Sequence, residues 1–190
     1  MSLETAISAG RQPLLSSRQA RRRMKNPTIT LMTASFMCTC TLAAQPIQEP
    51  KQMYAMVKDN VLKLAEKMPE ENYSFKPTPE IRSFGQLVAH VADAQARFCS
   101  TVSGSPKSVN AASKTSKADL VAALKDSIDI CDSAWDSLTA SNASENVKMG
   151  QMQRSKLGLL EGNSLHINEE YGYMAVYLRL KGVVPPSSGN

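Results

Sequence analysis

Histidine and aromatic side chains are scarce: the chain of 190 residues has two His, one Trp, four Phe and five Tyr. Cysteine is no commoner, with four, and no pair has CxxC spacing. That leaves out cysteine-rich zinc modules and thioredoxin-type redox motifs. No repeat of solenoid period, no low-complexity tract and no strand candidate is present, so repeat arrays and sheet folds are set aside. Over most of the chain an excess of one charge is lacking as well. The formal net charge is +5, but residues 1–25 carry Arg11, Arg18, Arg21, Arg22, Arg23 and Lys25 against Glu4 alone. Residues 26–190 balance sixteen basic against sixteen acidic side chains, so a broad phosphate-binding surface has no support and nucleic acid is not an expected partner.

What is present begins with the one stretch free of charge. Pro27 to Ala44 contains no charged residue, follows the basic cluster and ends in small residues. A basic segment, an apolar segment and a small-residue end make a secretory signal pattern, with Met24 as an attractive start and cleavage after Ala43 or Ala44. The expected division is a basic leader at 1–44, signal-like over 24–44, and a domain at 45–190. The location this implies is secreted or periplasmic, with a cytoplasmic one as the alternative. The same stretch also reads as a buried N-terminal helix or as an uncleaved anchor, the one route to a membrane, although five Thr make it a marginal span. Cys38 and Cys40 fall in the leader, which leaves Cys99 and Cys131 to pair if exported or to stay thiols if not.

The rest of the chain carries helical stripes. After a proline-bounded linker, "QPIQEP", Tyr54, Val57, Val61, Leu64 and Met68 recur at three- and four-residue spacing, and Pro69 ends the run. Ser83 is placed to cap a second helix bearing Phe84, Leu87, Val91, Ala94 and Phe98. A third starts near Ser116, aligns Leu120, Leu124, Ser127, Cys131 and Leu138, and should end near Ala140. The fourth runs from Ser155 or Lys156 to Lys181, with Gly182 as its stop and Pro185 and Pro186 beyond. The expected fold class is therefore all-α, a four-helix bundle preceded by the leader.

The fourth helix contains a chemical oddity. Leu159, Asn163, His166, Glu170, Tyr173, Met174 and Tyr177 fall on one stripe, and His166 and Glu170 lie near its centre. A buried carboxylate is costly unless a positive group compensates it. A buried Arg or Lys would serve, and so would a divalent cation gripped by two side chains one turn apart. The chain's other histidine, His90, flanks the stripe of helix two.

"FKPTPEIRSFGQLVAHVADAQARFCS" and "HINEEYGYMAVYLRLKGVVPPSS" resemble the second and last helices of the DinB-like family, also known as YfiT-like metal-dependent hydrolases. The resemblance spans about residues 50 to 188. It implies a four-helix bundle with a three-histidine site for a divalent metal, and activities of the hydrolase or thiol-transferase kind in members that have one. His90 and His166 match two family ligands, while Glu170 stands where the third histidine is usual. Two His and a Glu suit zinc in hydrolases and iron(II) in oxygenases, so zinc, nickel, iron and manganese are all admissible. The departure equally allows a degenerate site, in a bundle that binds a small ligand or is purely structural. Asp93 reads either as a carboxylate orienting an imidazole or as a plain surface charge. Asn163, Tyr173 and Tyr177 share the ligand face and either line its pocket or simply pack. The small-molecule substrate is not legible, and association into a homodimer stays open.

Overall fold

The computed structural model describes residues 45–188, so the leader and its expected cleavage site lie outside the described residues. Four helices dominate: α1 (Gln45–Lys67), α2 (Phe84–Val102), α3 (Lys117–Asp136) and α4 (Lys156–Leu180). Apart from Tyr173 on the fourth, which is 52% exposed, the stripes turn inward, with Val61, Leu64, Phe84, Val91, Leu124, Leu159 and Met174 at most 1% exposed. Burying such side chains is worth about 1.5–3 kcal/mol each, more than helix propensity contributes. Among the described residues no helix is long and apolar enough to cross a membrane.

Contacts fix the helix order. α2 packs on α3 and α4, and α1 packs on α4 and α3, so α1 stands diagonally across from α2. The α1–α2 connector must therefore cross an end of the bundle. It is held there by Tyr73, whose hydroxyl donates to the Ala65 carbonyl at 2.6 Å while its own carbonyl accepts from Gly85 N at 2.8 Å. Lys117 at the start of α3 donates to the carbonyls of Glu66 and Met68, satisfying acceptors that the end of α1 would otherwise leave open.

Helix boundaries follow local chemistry. Ser83 and Gln86 form a reciprocal capping box at α2, Ser116 caps α3 and Ser155 caps α4. At the other end of α4, Gly182 takes φ of 73°. Val183 N then bonds Leu178 O and Gly182 N bonds Arg179 O, a Schellman stop.

Three expectations need correction. "QPIQEP" is not a linker but the beginning of α1. Proline is tolerated close to a helix start because the first N–H groups lack intrahelical acceptors anyway, and at Pro50 only one bond of the opening turns is forfeited. α3 ends at Asp136, short of Ala140, and Leu138 is buried from the turn that follows. A two-stranded hairpin, β1 (Asn146–Met149) and β2 (Met152–Ser155), precedes α4 where no strand was expected. Its turn is Gly150–Gln151, with Gly150 at φ 61°, the glycine-first form of a tight hairpin. Val147 and Met149 pack on the core while Asn146 and Lys148 face out.

Cys99 and Cys131 form a disulfide joining α2 to α3, with Cα atoms 4.9 Å apart. Both residues are fully buried.

Candidate metal centre

Adjacent helices α2 and α4 bring His90, His166 and Glu170 together, and the potential donor atoms of all three lie within 4.8 Å of one another. His90 Nε2 is 3.1 Å from His166 Nε2. Glu170 Oε1 is 3.5 Å from the first nitrogen and 3.9 Å from the second. Atoms so spaced share a point about 2.1 Å from each, the usual bond length from zinc to nitrogen or oxygen. One turn of α4 separates His166 from Glu170, which is why both reach the same point.

The protonation states of the donors suit a metal at that point, although the nearby Arg82 and Arg97 charges oppose a cation. Burial holds both imidazoles below their ordinary pKa, helped at His90 by the charges of Arg82 and Arg97 and at His166 by His90. Neutral rings keep a lone pair for a metal. Burial also raises the Glu170 carboxyl, and nearby His166 and Arg82 reverse this only in part. Glu170 Oε2 is buried with no hydrogen-bond partner among the described residues, and so is His166 Nδ1. A buried, under-paired carboxylate costs free energy, and a divalent cation held at its Oε1 would offset the charge of the group as a whole. The ring of Phe98 stacks on His166, with centroids 6.1 Å apart, and restricts its orientation.

The remaining candidates have other tasks. Asp93 does not orient an imidazole: its two oxygens accept from Ala111 N at 2.8 Å and Ala112 N at 2.9 Å, fastening the 107–114 loop to α2. Asn163 is fully buried below the site, where its amide nitrogen lies 3.6 Å from Cys131 Sγ. Tyr177 is buried and donates its hydroxyl to the Arg82 carbonyl at 2.8 Å. Tyr173 lies at the rim, 52% exposed, and donates to Glu169.

Two residues beside the site escaped the sequence reading. Arg82 and Arg97 both line the cleft that contains His90. For Arg97 a signal existed, since it follows His90 by seven residues and so repeats on the same face of α2. Arg82 sits on the turn before Ser83, and only the tertiary structure reveals its position.

Fold and site together define a helical bundle with two histidines and a glutamate converging between neighbouring helices. The chain belongs to the DinB superfamily, whose family model matches residues 53–171 and thus all three donors. Among solved structures it is similar to a DinB-like protein from Bacillus cereus, at 17% identity and a TM-score of 0.63, covering 74% of this chain and 95% of that one. It is similar as well to a DinB-like protein from Bacillus subtilis, at 21% identity and a TM-score of 0.58, covering 70% and 92%. These identities carry the fold alone. No curated protein sequence matches the chain.

Proposed function

We propose that the protein is a metal-binding DinB-like bundle in which His90, His166 and Glu170 hold one divalent cation and support hydrolysis of a small-molecule substrate. The observation that carries this reading is the convergence of three donors on one point beside a carboxylate oxygen with no other partner. Zinc, nickel, iron and manganese are the candidates, since the donor set of two imidazoles and a carboxylate accommodates each. When bound, such a cation supplies Lewis-acid chemistry at neutral pH. The chain's own residues then hold and shape the site. Phe98 restricts the His166 ring, and Tyr177 holds the backbone that carries Arg82.

Export is part of the reading. The Cys99–Cys131 disulfide supports an oxidising compartment, as does the signal-like leader. A low-molecular-weight thiol co-substrate is scarce in such a compartment, which favours hydrolysis over thiol transfer.

Elemental analysis of protein purified without added metal tests the proposal. About one divalent ion per chain is expected, with most of the affinity lost in Glu170→Ala. A chain that takes up no metal, or a Glu170→Ala variant that binds unchanged, would leave a bundle with a polar remnant and no metal function.

A further inference from the structure

Arg82, Arg97, Lys107 and Lys114 all line the cleft of about 670 Å³ that has His90 in its wall. Among the described residues none of these four has an ion-pair partner, whereas Lys51, Lys58, Lys125 and Lys156 are each paired with a carboxylate. Asp93 is the one carboxylate of the cleft, and both its oxygens already accept backbone N–H groups of the loop that carries the two lysines. The molecule thus gathers four cations around one concavity against a single carboxylate, Asp93, although the chain from residue 26 onward is neutral. A cleft lined by one sign of charge concentrates the opposite sign. Its volume is that of a small-molecule site.

A second cleft, of about 700 Å³, borders the first and differs in character. Ile81, Leu87, Val176 and Tyr177 give it an apolar wall, and Glu170 forms part of its floor. Arg82 lines both clefts. His90 of the first and Glu170 of the second are 3.5 Å apart at the donor triad.

We propose that the site takes a small amphipathic organic anion. Its carboxylate or phosphate is held by Arg82, Arg97, Lys107 and Lys114, and its apolar portion lies on Ile81, Leu87, Val176 and Tyr177. The linkage between those two parts then lies over His90 and Glu170. This assignment rests on the metal-centre reading for its chemistry but not for its binding energy, which comes from the two clefts.

Binding of three probes to the full chain, with its disulfide intact, tests it by calorimetry at low ionic strength: hexanoate, hexyl phosphate and neutral 1-hexanol. Each is titrated into zinc-treated and into EDTA-treated protein, and zinc content is measured on the same samples. At least one anion is expected to bind ten times or more tighter than hexanol, with affinity falling as salt is added. Which anion is tighter tells a carboxylate substrate from a phosphate. The double substitution Arg97→Ala/Lys114→Ala, at positions that line the first cleft and not the second, should cut the anion preference severalfold and leave hexanol binding unchanged, whereas Arg97→Lys should keep most of it. Anions that bind no tighter than hexanol, or an undiminished preference in the double variant, would overturn the assignment. Bound zinc without anion preference removes this inference alone, and anion preference without zinc removes the metal reading alone.

Discussion

Glu170 is where the chain trades stability for a site. Its carboxyl is pushed up by burial, so the ionised form is favoured less in the folded protein than in the unfolded chain. A raised carboxyl pKa favours folding at low pH, and that contribution is lost as pH rises through the folded value. At neutral pH without metal, Glu170→Gln should therefore be more stable than the parent. A gain of about 1 kcal/mol corresponds to roughly 3–5 °C in the thermal midpoint. Added zinc should reverse the order, because metal at a hundred times its dissociation constant stabilises the parent by about 2.7 kcal/mol. Thermal unfolding with EDTA and with zinc reads both. Glu170→His should keep a site and shift its preference toward softer metals, as competition between nickel, zinc and manganese would show.

The titration windows of the three donors are drawn together. Imidazoles held below their ordinary value near 6.5 stay neutral further into acid, while the carboxyl protonates sooner than an exposed one. Metal affinity should consequently hold steady from pH 8 to below about 6.5, then fall steeply as protons compete for all the donors together. Dye competition across that range measures it. A gradual loss starting above pH 7 would contradict the environment described for the two rings.

Among the elements, the disulfide between α2 and α3 has the largest expected effect on stability. Closing a loop across the 32-residue separation constrains the unfolded chain by about 3–4 kcal/mol. Cys99→Ala/Cys131→Ala should lower the urea midpoint accordingly, and a reducing agent should do the same to the parent. How far these elements could be read from sequence depended on the kind of signal. The stripes of Tyr54 to Met68 and Phe84 to Phe98 repeat over several turns, and Ser83, Ser116, Ser155 and Gly182 mark boundaries through side-chain and backbone chemistry that acts locally. The hairpin was not legible because four-residue strands carry little periodicity. Its glycine-first turn was the available clue. Pro50 misled because a proline reads as a break until one knows that the helix starts only a few residues earlier.

At the scale of the molecule, the triad was legible as residue types on helical faces, but their meeting depends on α2 and α4 being neighbours. Helix order is a matter of long-range packing, and no spacing within either helix encodes it. The same holds for Arg82, which reaches the site through a connector whose path crosses the end of the bundle. The leader makes its own prediction. Protein recovered from an extracytoplasmic fraction of its native host should begin near Ala44 or Gln45, as intact mass would show; a soluble cytosolic protein retaining residues 1–44 would refute export.

The disulfide ties α2 to α3, and the donor triad spans α2 and α4, so α2 is common to both links while α1 belongs to neither. Under mechanical load the bundle should accordingly behave as a chain with two locks of different kind. Pulled from its ends, α1 should peel away first and at low force. A metal bridging residues 90 and 170 would then resist until coordination breaks, releasing the flanks of the enclosed segment in one step. The stretch between residues 99 and 131 should never extend while the sulfurs are joined, leaving the unravelled molecule shorter by roughly 110 Å than its reduced counterpart. Single-molecule force traces would resolve the two locks separately, since chelation abolishes the intermediate step and reduction restores the missing length.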